Sequence, residues 1–496
     1  MSFENQSKRI IILGANGMMG SMLHYLGSKN RDIFPITREK FDAMKDDVII
    51  LKNFLTDDCC IINCIGAIPQ RNYKDDEFRK LNTEFPLVLS KFCEESKVNL
   101  IHISTNCVFS HEKSYRLETD APDAEDVYGS SKASGEPSNC VVLRCSIIGL
   151  EINSSFGLLE WFFHSTGNIQ GYDDHYWNGL TTLELSKVIY DIIDKKDFSP
   201  RIQHCYSPDA SSKYQILSRS AEIFNKTIII TPVSKGVKHY TLSSKIYPPQ
   251  KLSVFEQLTE LFQISRDYRK FTGQCDIFLI TSVINTENKP WSYTSIRSVF
   301  TPKQRFEQTL KTIDSIRNAD NSNFIVLSEC SDIDDSMINI LREKVDLFIH
   351  CFSNEEIKQS CIQSNKKGYG ELLQTKDAVQ KIQEMNIRFN RFFKISGRYW
   401  LNGAFDKSKF SVKEYSFNQI LPGATCHPTV LYSVPSNLIE HFKDVLNQCN
   451  EVYKSKIIGL EILLPPLCEP KIKIDAVGVS GYVAVDGSYY SVPPGF

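Results

Sequence analysis

Directly behind a five-residue run, Arg9 to Leu13, the chain reads Gly14-Ala15-Asn16-Gly17-Met18-Met19-Gly20 and then takes on a helical pattern from Ser21 to Gly27. No other stretch constrains the fold as much. Glycines at these points permit a tight turn, close approach of backbone to a pyrophosphate, and tight packing of helix on strand. The helix start then offers N–H groups and a positive dipole end to phosphates. An ordinary strand-to-helix turn is the alternative, and the position after the first strand of the chain weighs against it. Gly14, Asn16, Gly17, Met18, Met19 and Gly20 are therefore candidate cofactor-binding residues.

The second apolar run, Ile33 to Ile36, ends at Thr37-Arg38, where many dinucleotide folds place an acidic residue for the adenosine ribose. A guanidinium there matches a 2′-phosphate in bidentate fashion, so Arg38 favours NADPH over NADH, the alternative being a solvated loop arginine. Further apolar runs at Cys59 to Ile65, Leu100 to Ser104 and Val141 to Arg144 alternate with amphipathic stretches such as Asp75 to Lys97. That alternation predicts an α/β fold, a Rossmann-type doubly wound parallel sheet. Cys59, Cys60 and Cys64 read as small buried hydrophobes.

At 496 residues the chain exceeds what one core organises. A polar run, Ser265 to Lys270, follows the helix-like Val254 to Phe262, and a strand restarts at Cys275. The expected division is 1–270, a nucleotide-binding domain with a small substrate lobe, and 275–496, a second α/β domain. In the latter, Phe324 to Leu327 and Val345 to Cys351 read as strands, and Gln304 to Arg317 and Glu371 to Met385 as helices.

A net charge of −2 provides no basic excess for a phosphate backbone, so nucleic acid is not an expected partner. Lys366-Lys367 reads as solvated surface. Fifteen cysteines are scattered without zinc spacing, and no metal is expected in the first domain. Neither a signal peptide nor an apolar stretch of membrane-spanning length is visible, which predicts a cytoplasmic protein. Homo-oligomerisation is left open.

Tyr128-Gly129-Ser130-Ser131-Lys132 places a phenol and an ammonium four residues apart, on one face of a helix. The cation is expected to lower the tyrosine pKa towards working pH, so that the phenol exchanges a proton with a substrate oxygen. Upstream, Ser104-Thr105-Asn106-Cys107-Val108-Phe109 follows a strand and supplies a hydroxyl. At this point the chain resembles the extended short-chain dehydrogenases and, within them, the dTDP-4-dehydrorhamnose reductase branch. The resemblance covers about 260 residues through Gly14 to Gly20, Asn63-Cys64-Ile65-Gly66, Ile103 to Phe109, Tyr128 to Glu136, Val142 to Gly149 and Trp177 to Thr182. It implies Thr105 as hydroxyl partner, Tyr128 as proton donor and Lys132 as holder of the nicotinamide ribose. It also implies that Asn63, Cys64 and Gly66 line the cofactor, that the substrate-facing side begins at Arg144, and that the substrate is a nucleotide-activated 4-keto-6-deoxy sugar.

Where that branch shows an aspartate and a tyrosine before Val-Phe, this chain has Asn106 and Cys107, which opens the identity of the sugar. Asn106, Cys107, Trp177 and Asn178 are the candidate substrate-binding residues. Trp161, Phe162, Phe163, Tyr172, Tyr176 and Trp177 would form a lid and part of the small lobe, with core packing the plainer reading for each. Two alternatives accompany the reductase: an epimerase or dehydratase that retains its cofactor, and a cofactor-binding regulatory subunit without turnover.

The second half resembles the nucleotide-sugar half of a GT-A glycosyltransferase, from the strand at Cys275 to the acidic turn Glu329 to Asp335. Lys366 to Glu371 and Phe393 to Tyr399 are similar to segments of bacterial capsule-locus proteins. Asp332 and Asp334 are candidate metal ligands against a solvated turn; Lys394 or Arg398 would neutralise a diphosphate without metal. Glu461 is a candidate base. Cys426 and His427 lack supporting ligands, so a packed histidine is expected. A carbohydrate-binding or scaffold domain is the rival reading.

Overall fold

The computed structural model describes residues 8–152, 156–165, 167–224, 226, 228–287, 289–292, 294–320, 322–366, 368–385, 387–419 and 427–493. The chain divides into two compact units, Met1–Tyr268 and Arg269–Phe496.

The first unit is built on six parallel strands, ordered Ile33–Ile36, Arg9–Leu13, Cys59–Asn63, Asn99–Thr105, Val141–Cys145 and Arg201–His204. Alternation along Arg9–Leu13 sends Ile10 and Ile12 to one face and Ile11 and Leu13 to the other. Both faces are covered, so the strand reads as a continuous apolar run. Met19, Leu23, Leu185 and Ile189 close one face from the helices Met18–Gly27 and Thr182–Asp194. Phe78, Leu81, Phe85, Leu89 and Phe92 close the other. The crossover expected at Asp75 to Lys97 runs as Asp75–Arg79 and Phe85–Glu95, joined by one π-helical turn, Lys80–Glu84. The small lobe pairs His175–Trp177 with Lys238–Tyr240 and Ser211–Ser212, and Asn168–Tyr172 with Ile229–Val233.

The division between the two units, at Tyr268 and Arg269, falls within the polar run Ser265 to Lys270, and that run is helical: the helix Val254–Thr272 passes straight through it. Its spacing explains why. Leu258, Leu261 and Tyr268 continue one buried face, at three- and four-residue steps or their sum. The Tyr268 hydroxyl sits 2.6 Å from Ser21 Oγ, and its ring meets Tyr25 edge-on at 5.6 Å.

In the second unit seven strands are ordered Leu347–His350, Phe324–Glu329, Ile277–Ser282, Arg391–Ser396, Leu431–Pro435, Tyr415–Asn418 and Lys471–Ile474. The first four are parallel; Leu431–Pro435 runs against both of its neighbours. Tyr399–Leu401, Val479–Tyr482 and Tyr489–Val492 form a separate antiparallel sheet.

Candidate functional site

A cleft of about 930 Å³ opens beyond the carboxyl ends of the parallel strands of the first unit. In the order of that sheet, strand Arg9–Leu13 has the second strand on one side and the third on the other, the switch point at which open α/β sheets bind ligands.

Glycine geometry shapes the turn at its floor. Gly14 has φ +75°, a backbone setting that glycine adopts without steric cost, and its carbonyl accepts from Gly17 N at 2.9 Å. A Cβ on Gly20 would lie 2.3 Å from that same oxygen. The helix Met18–Gly27 starts at Gly17 without a side-chain cap, and Gly14, Asn16, Gly17, Met18 and Met19 line the cleft. Arg38 lines it further along; its Nε donates to Asp42 at 3.2 Å.

Thr105, Tyr128 and Lys132 meet on the opposite wall, with Cys64, Gly66 and Cys107 beside them. Tyr128 and Lys132 lie one turn apart on the helix Val127–Ser134, capped by Asp126, which accepts from Gly129 N at 2.8 Å. Thr105 ends its strand, and its Oγ1 accepts from Cys107 N at 3.1 Å. Lys132 Nζ reaches the Ile103 carbonyl at 3.5 Å and would lie 2.7 Å from a Cβ on Gly66. Burial lowers this lysine to about 8 against smaller opposing contributions from Glu136 and Cys64.

The expected acidification of Tyr128 is corrected. Burial pushes its phenol well above the ordinary value, Cys107 adds to the rise, and a hydrogen bond with Thr105 opposes it. The Lys132 ammonium meets the Ile103 carbonyl at 3.5 Å. The phenol is thus held protonated.

Four expected lining residues stand behind the wall instead. Gly20 packs on Gly14. Asn63, fully buried, receives Ile65 N at 3.0 Å and faces His102 Nδ1 at 3.1 Å, so it braces the loop. Asn106 donates to the Tyr240 carbonyl at 3.2 Å, and Asn178 brackets Leu242 through N–H and carbonyl at 2.9 and 2.8 Å. An amide buried beside an edge of backbone completes its hydrogen bonds there. Arg144, expected to begin the substrate side, is instead buried in a two-pronged pair with Glu136 at 2.9 and 2.7 Å, with Ser104 Oγ donating to the same carboxylate at 2.6 Å. Of the aromatics, Trp161, Tyr172 and Trp177 line the cleft; Phe162 and Phe163 pack in the lobe, and Tyr176 stacks on His239 at 5.8 Å.

Lys213, His175 and Tyr240, which sequence reasoning did not single out, also line the cleft. Both ring nitrogens of His175 are buried without a hydrogen-bond partner. Burial holds the Lys213 ammonium below its ordinary value. His175 and Tyr240 arrive on three-residue strands and Lys213 at the start of the helix Lys213–Ile223, far along the chain, and no local spacing marks them. Behind the wall, Asn82 on the π-turn accepts from Ala67 N at 2.8 Å and donates to the Ala67 carbonyl and Ser131 Oγ, each at 3.2 Å. It ties the cofactor-side loop to the Tyr128 helix.

In the second unit, Asp334 caps the helix Asp335–Lys344, accepting from Met337 N at 2.9 Å, and no group of three or more His, Cys, Asp or Glu side chains that could hold a metal occurs among the described residues. Lys394 is fully buried and paired with Glu371, while Arg398 lines a small cavity. Glu461 does not line that cavity. His427 is packed, its Nδ1 2.7 Å from the Asn418 carbonyl; Cys426 and Lys367 lie outside the described residues. Lys366 is not solvated surface: its ammonium donates to the Tyr453 carbonyl. The fourteen described cysteines are free thiols, Cys59 and Cys60 buried in their strand. No helix among the described residues is long and apolar enough to cross a membrane.

The profile of one family, described as the RmlD substrate binding domain, matches residues 8–261. A dTDP-4-dehydrorhamnose reductase of Mycolicibacterium smegmatis is 30% identical over 137 residues, covering 26% of this chain and 41% of that protein. One of Mycobacterium tuberculosis is 27% identical over 140 residues, covering 26% and 45%. The chain thus spans less than half the length of these curated relatives. Among solved structures, a dTDP-4-dehydrorhamnose reductase from Clostridium acetobutylicum is 21% identical with a TM-score of 0.45, covering 52% of this chain and 99% of that one. One from Bacillus anthracis, in complex with NADP, is 19% identical with a TM-score of 0.46 and the same coverage. With residues 8–261 matched, just over half of its 496, the chain belongs to the family of the RmlD substrate binding domain.

Proposed function

We propose that the first unit reduces a 4-keto-6-deoxy sugar carried on a nucleoside diphosphate, with NADPH as reductant, in the synthesis of a deoxysugar for a surface polysaccharide. The observation that carries this reading is the convergence of Thr105, Tyr128 and Lys132 on the one cleft floored by the Gly14 turn. A dinucleotide fits that floor: a Cβ is excluded at Gly20, and the helix behind Gly17 has no side chain on its first N–H groups. When bound, the reduced nicotinamide supplies the hydride that goes to the carbonyl carbon. Tyr128 gives its Oη proton to the carbonyl oxygen, which becomes the alcohol, and a phenol held protonated by burial starts in the form this step requires. Thr105 donates to the same oxygen and Lys132 orients the ribose. Arg38 favours the 2′-phosphate of NADPH over NADH.

Purified protein with NADPH and a freshly generated dTDP- or UDP-4-keto-6-deoxyhexose is expected to lose the reduced-nicotinamide absorbance in proportion to substrate. A chemical conversion of the sugar without net NADPH loss would replace the reductase with an epimerase or dehydratase. NADPH binding with no turnover on any keto-sugar would leave a regulatory subunit.

The second unit is read as a sugar-transfer domain of GT-A type. Four parallel strands followed by one reversed strand, with a cavity at the ends of the first and fourth strands in chain order, favour this over a scaffold role. Hydrolysis of a nucleotide-sugar donor, abolished in Arg398→Gln, is the expected result; a donor that stays intact with every acceptor would leave the scaffold reading.

A further inference from the structure

The cavity of the second unit measures about 190 Å³ and lies at the carboxyl ends of Ile277–Ser282 and Arg391–Ser396. These strands are neighbours, and the strand order reverses between them. Two polar segments distant in sequence meet there. One brings Gly368, Gly370 and Glu371, the start of the helix Tyr369–Glu384; the other brings Ser396, Gly397 and Arg398. That helix has sixteen residues and no side-chain cap, so its positive end opens onto the cavity. Gly370 makes the approach possible, since a Cβ there would lie 2.6 Å from Cys361 Sγ.

The charges around the cavity do not cancel. Arg297 is spent on the carbonyls of Cys361, Ile362 and Ser364, and Lys394 on Glu371. Glu329 is fully buried behind the cavity, accepts from Ile284 N at 2.9 Å and from Ser331 Oγ, and is pushed towards its neutral form by burial. Arg305 and Arg398 remain. Arg305 is 7% exposed and holds the Val283 carbonyl through Nε at 2.7 Å and Ser298 Oγ through Nη1 at 3.3 Å. Arg398 Nε is buried with no hydrogen-bond partner. Among the described residues neither forms an ion pair with a carboxylate. Burial, reinforced by repulsion from Arg398 and opposed by a smaller attraction to Glu329, lowers Arg305 to about 9. A buried guanidinium facing a half-buried one is costly unless an anion joins them.

We propose that this cavity binds the diphosphate of a nucleoside diphosphate without a divalent cation, Arg305, Arg398 and the N-terminus of helix Tyr369–Glu384 neutralising it. The inference deepens the reading of the second unit as a sugar-transfer domain, and it is tested by equilibrium binding alone.

The full chain, saturated with NADP⁺ to fill the first unit, is titrated calorimetrically in EDTA with inorganic pyrophosphate, UDP, dTDP and inorganic phosphate. Pyrophosphate and at least one of the two nucleotides are expected to bind, phosphate at least tenfold more weakly. Arg398→Gln is expected to weaken pyrophosphate at least tenfold and Arg398→Lys less, because a point charge lacks the fork. Arg398 is half-buried, so thermal unfolding of these variants verifies that they fold; Arg305→Gln serves as a second reading if it folds. Binding that needs Mg²⁺, binding unchanged in Arg398→Gln, phosphate bound as tightly as pyrophosphate, or neither nucleotide bound would each overturn the site. Binding intact without donor hydrolysis would overturn the transferase reading and leave the anion site standing.

Discussion

The cleft of the first unit and the cavity of the second occupy the same kind of place, the carboxyl ends of parallel strands where strand order reverses, yet they are equipped differently. The first has glycine backbone and a helix end at its floor and an exposed Arg38, paired with Asp42, along its length, while burial disfavours charge at the two groups of the Tyr128 helix: Tyr128 protonated, Lys132 down to about 8. The second keeps two guanidiniums in a space about a fifth as large. A roomy cleft can leave charge to its ligands and reserve its side chains for proton transfer. A small cavity that must grip an anion needs permanent cations, and arginine alone stays charged at such burial.

The sharpest way to break the comparison is Tyr128→Phe. Removing the proton donor is expected to cost NADPH oxidation about 10²- to 10⁴-fold with folding intact; a loss under threefold would remove Tyr128 from the chemistry. Next is Glu136→Gln, which leaves Arg144 buried without its carboxylate. A broken buried pair costs about 3–5 kcal/mol, read as a lower urea midpoint at pH 7, and an unchanged midpoint would mean that water reaches the guanidinium. Gly20→Ala follows, since the added carbon meets the Gly14 carbonyl. Weakening of NADPH by about tenfold or more, roughly 1.4 kcal/mol, is expected by fluorescence titration, and unaltered affinity would deny the turn its role.

Lys132 gives a pH signature. Its folded-state value of about 8 lies below the roughly 10.4 of a free lysine, so between these values the unfolded chain holds a proton the folded chain has released. Stability attributable to this residue therefore rises with pH through that window. Relative to Lys132→Met, wild type should gain stability between pH 8 and 10, measured by urea unfolding; a constant difference would place the ammonium in water. The smallest expected effect is that of Arg38→Ala, a several-fold loss of preference for NADPH over NADH in kcat/KM, because the side chain is two-thirds exposed and shared with Asp42.

Much of this architecture was legible in the sequence where backbone demands are local. The Gly14 turn, the strand at Arg9 and the Tyr128–Lys132 helix follow from spacing, and the structure places them as read. What failed depended on tertiary surroundings. Asn63, Asn106 and Asn178 are polar residues in the right segments, but buried backbone, and for Asn63 also the His102 ring, engages their amides. Tyr128 has its lysine one turn away, yet burial raises its phenol against only the hydrogen bond with Thr105. The polar stretch after Phe262 does hold the division between the units, but its helical course rests on a narrow buried face, Leu258 to Tyr268, that the polar composition masks. Lys213 and His175 reach the cleft from a helix start and a short strand of the lobe, and nothing local announces them.

The π-turn Lys80–Glu84 sets the phase of everything upstream of it. Each residue of an ordinary helix turns the chain by about 100°, so deleting one residue between Phe78 and Phe85 would restore regular winding only by swinging either Phe78 off its contact with Tyr128, 6.3 Å between ring centres, or Asn82 off Ala67. Substitutions along this helix can be absorbed one at a time, whereas changes of length cannot. Homologous sequences are therefore expected to vary in composition here while keeping the count of residues fixed.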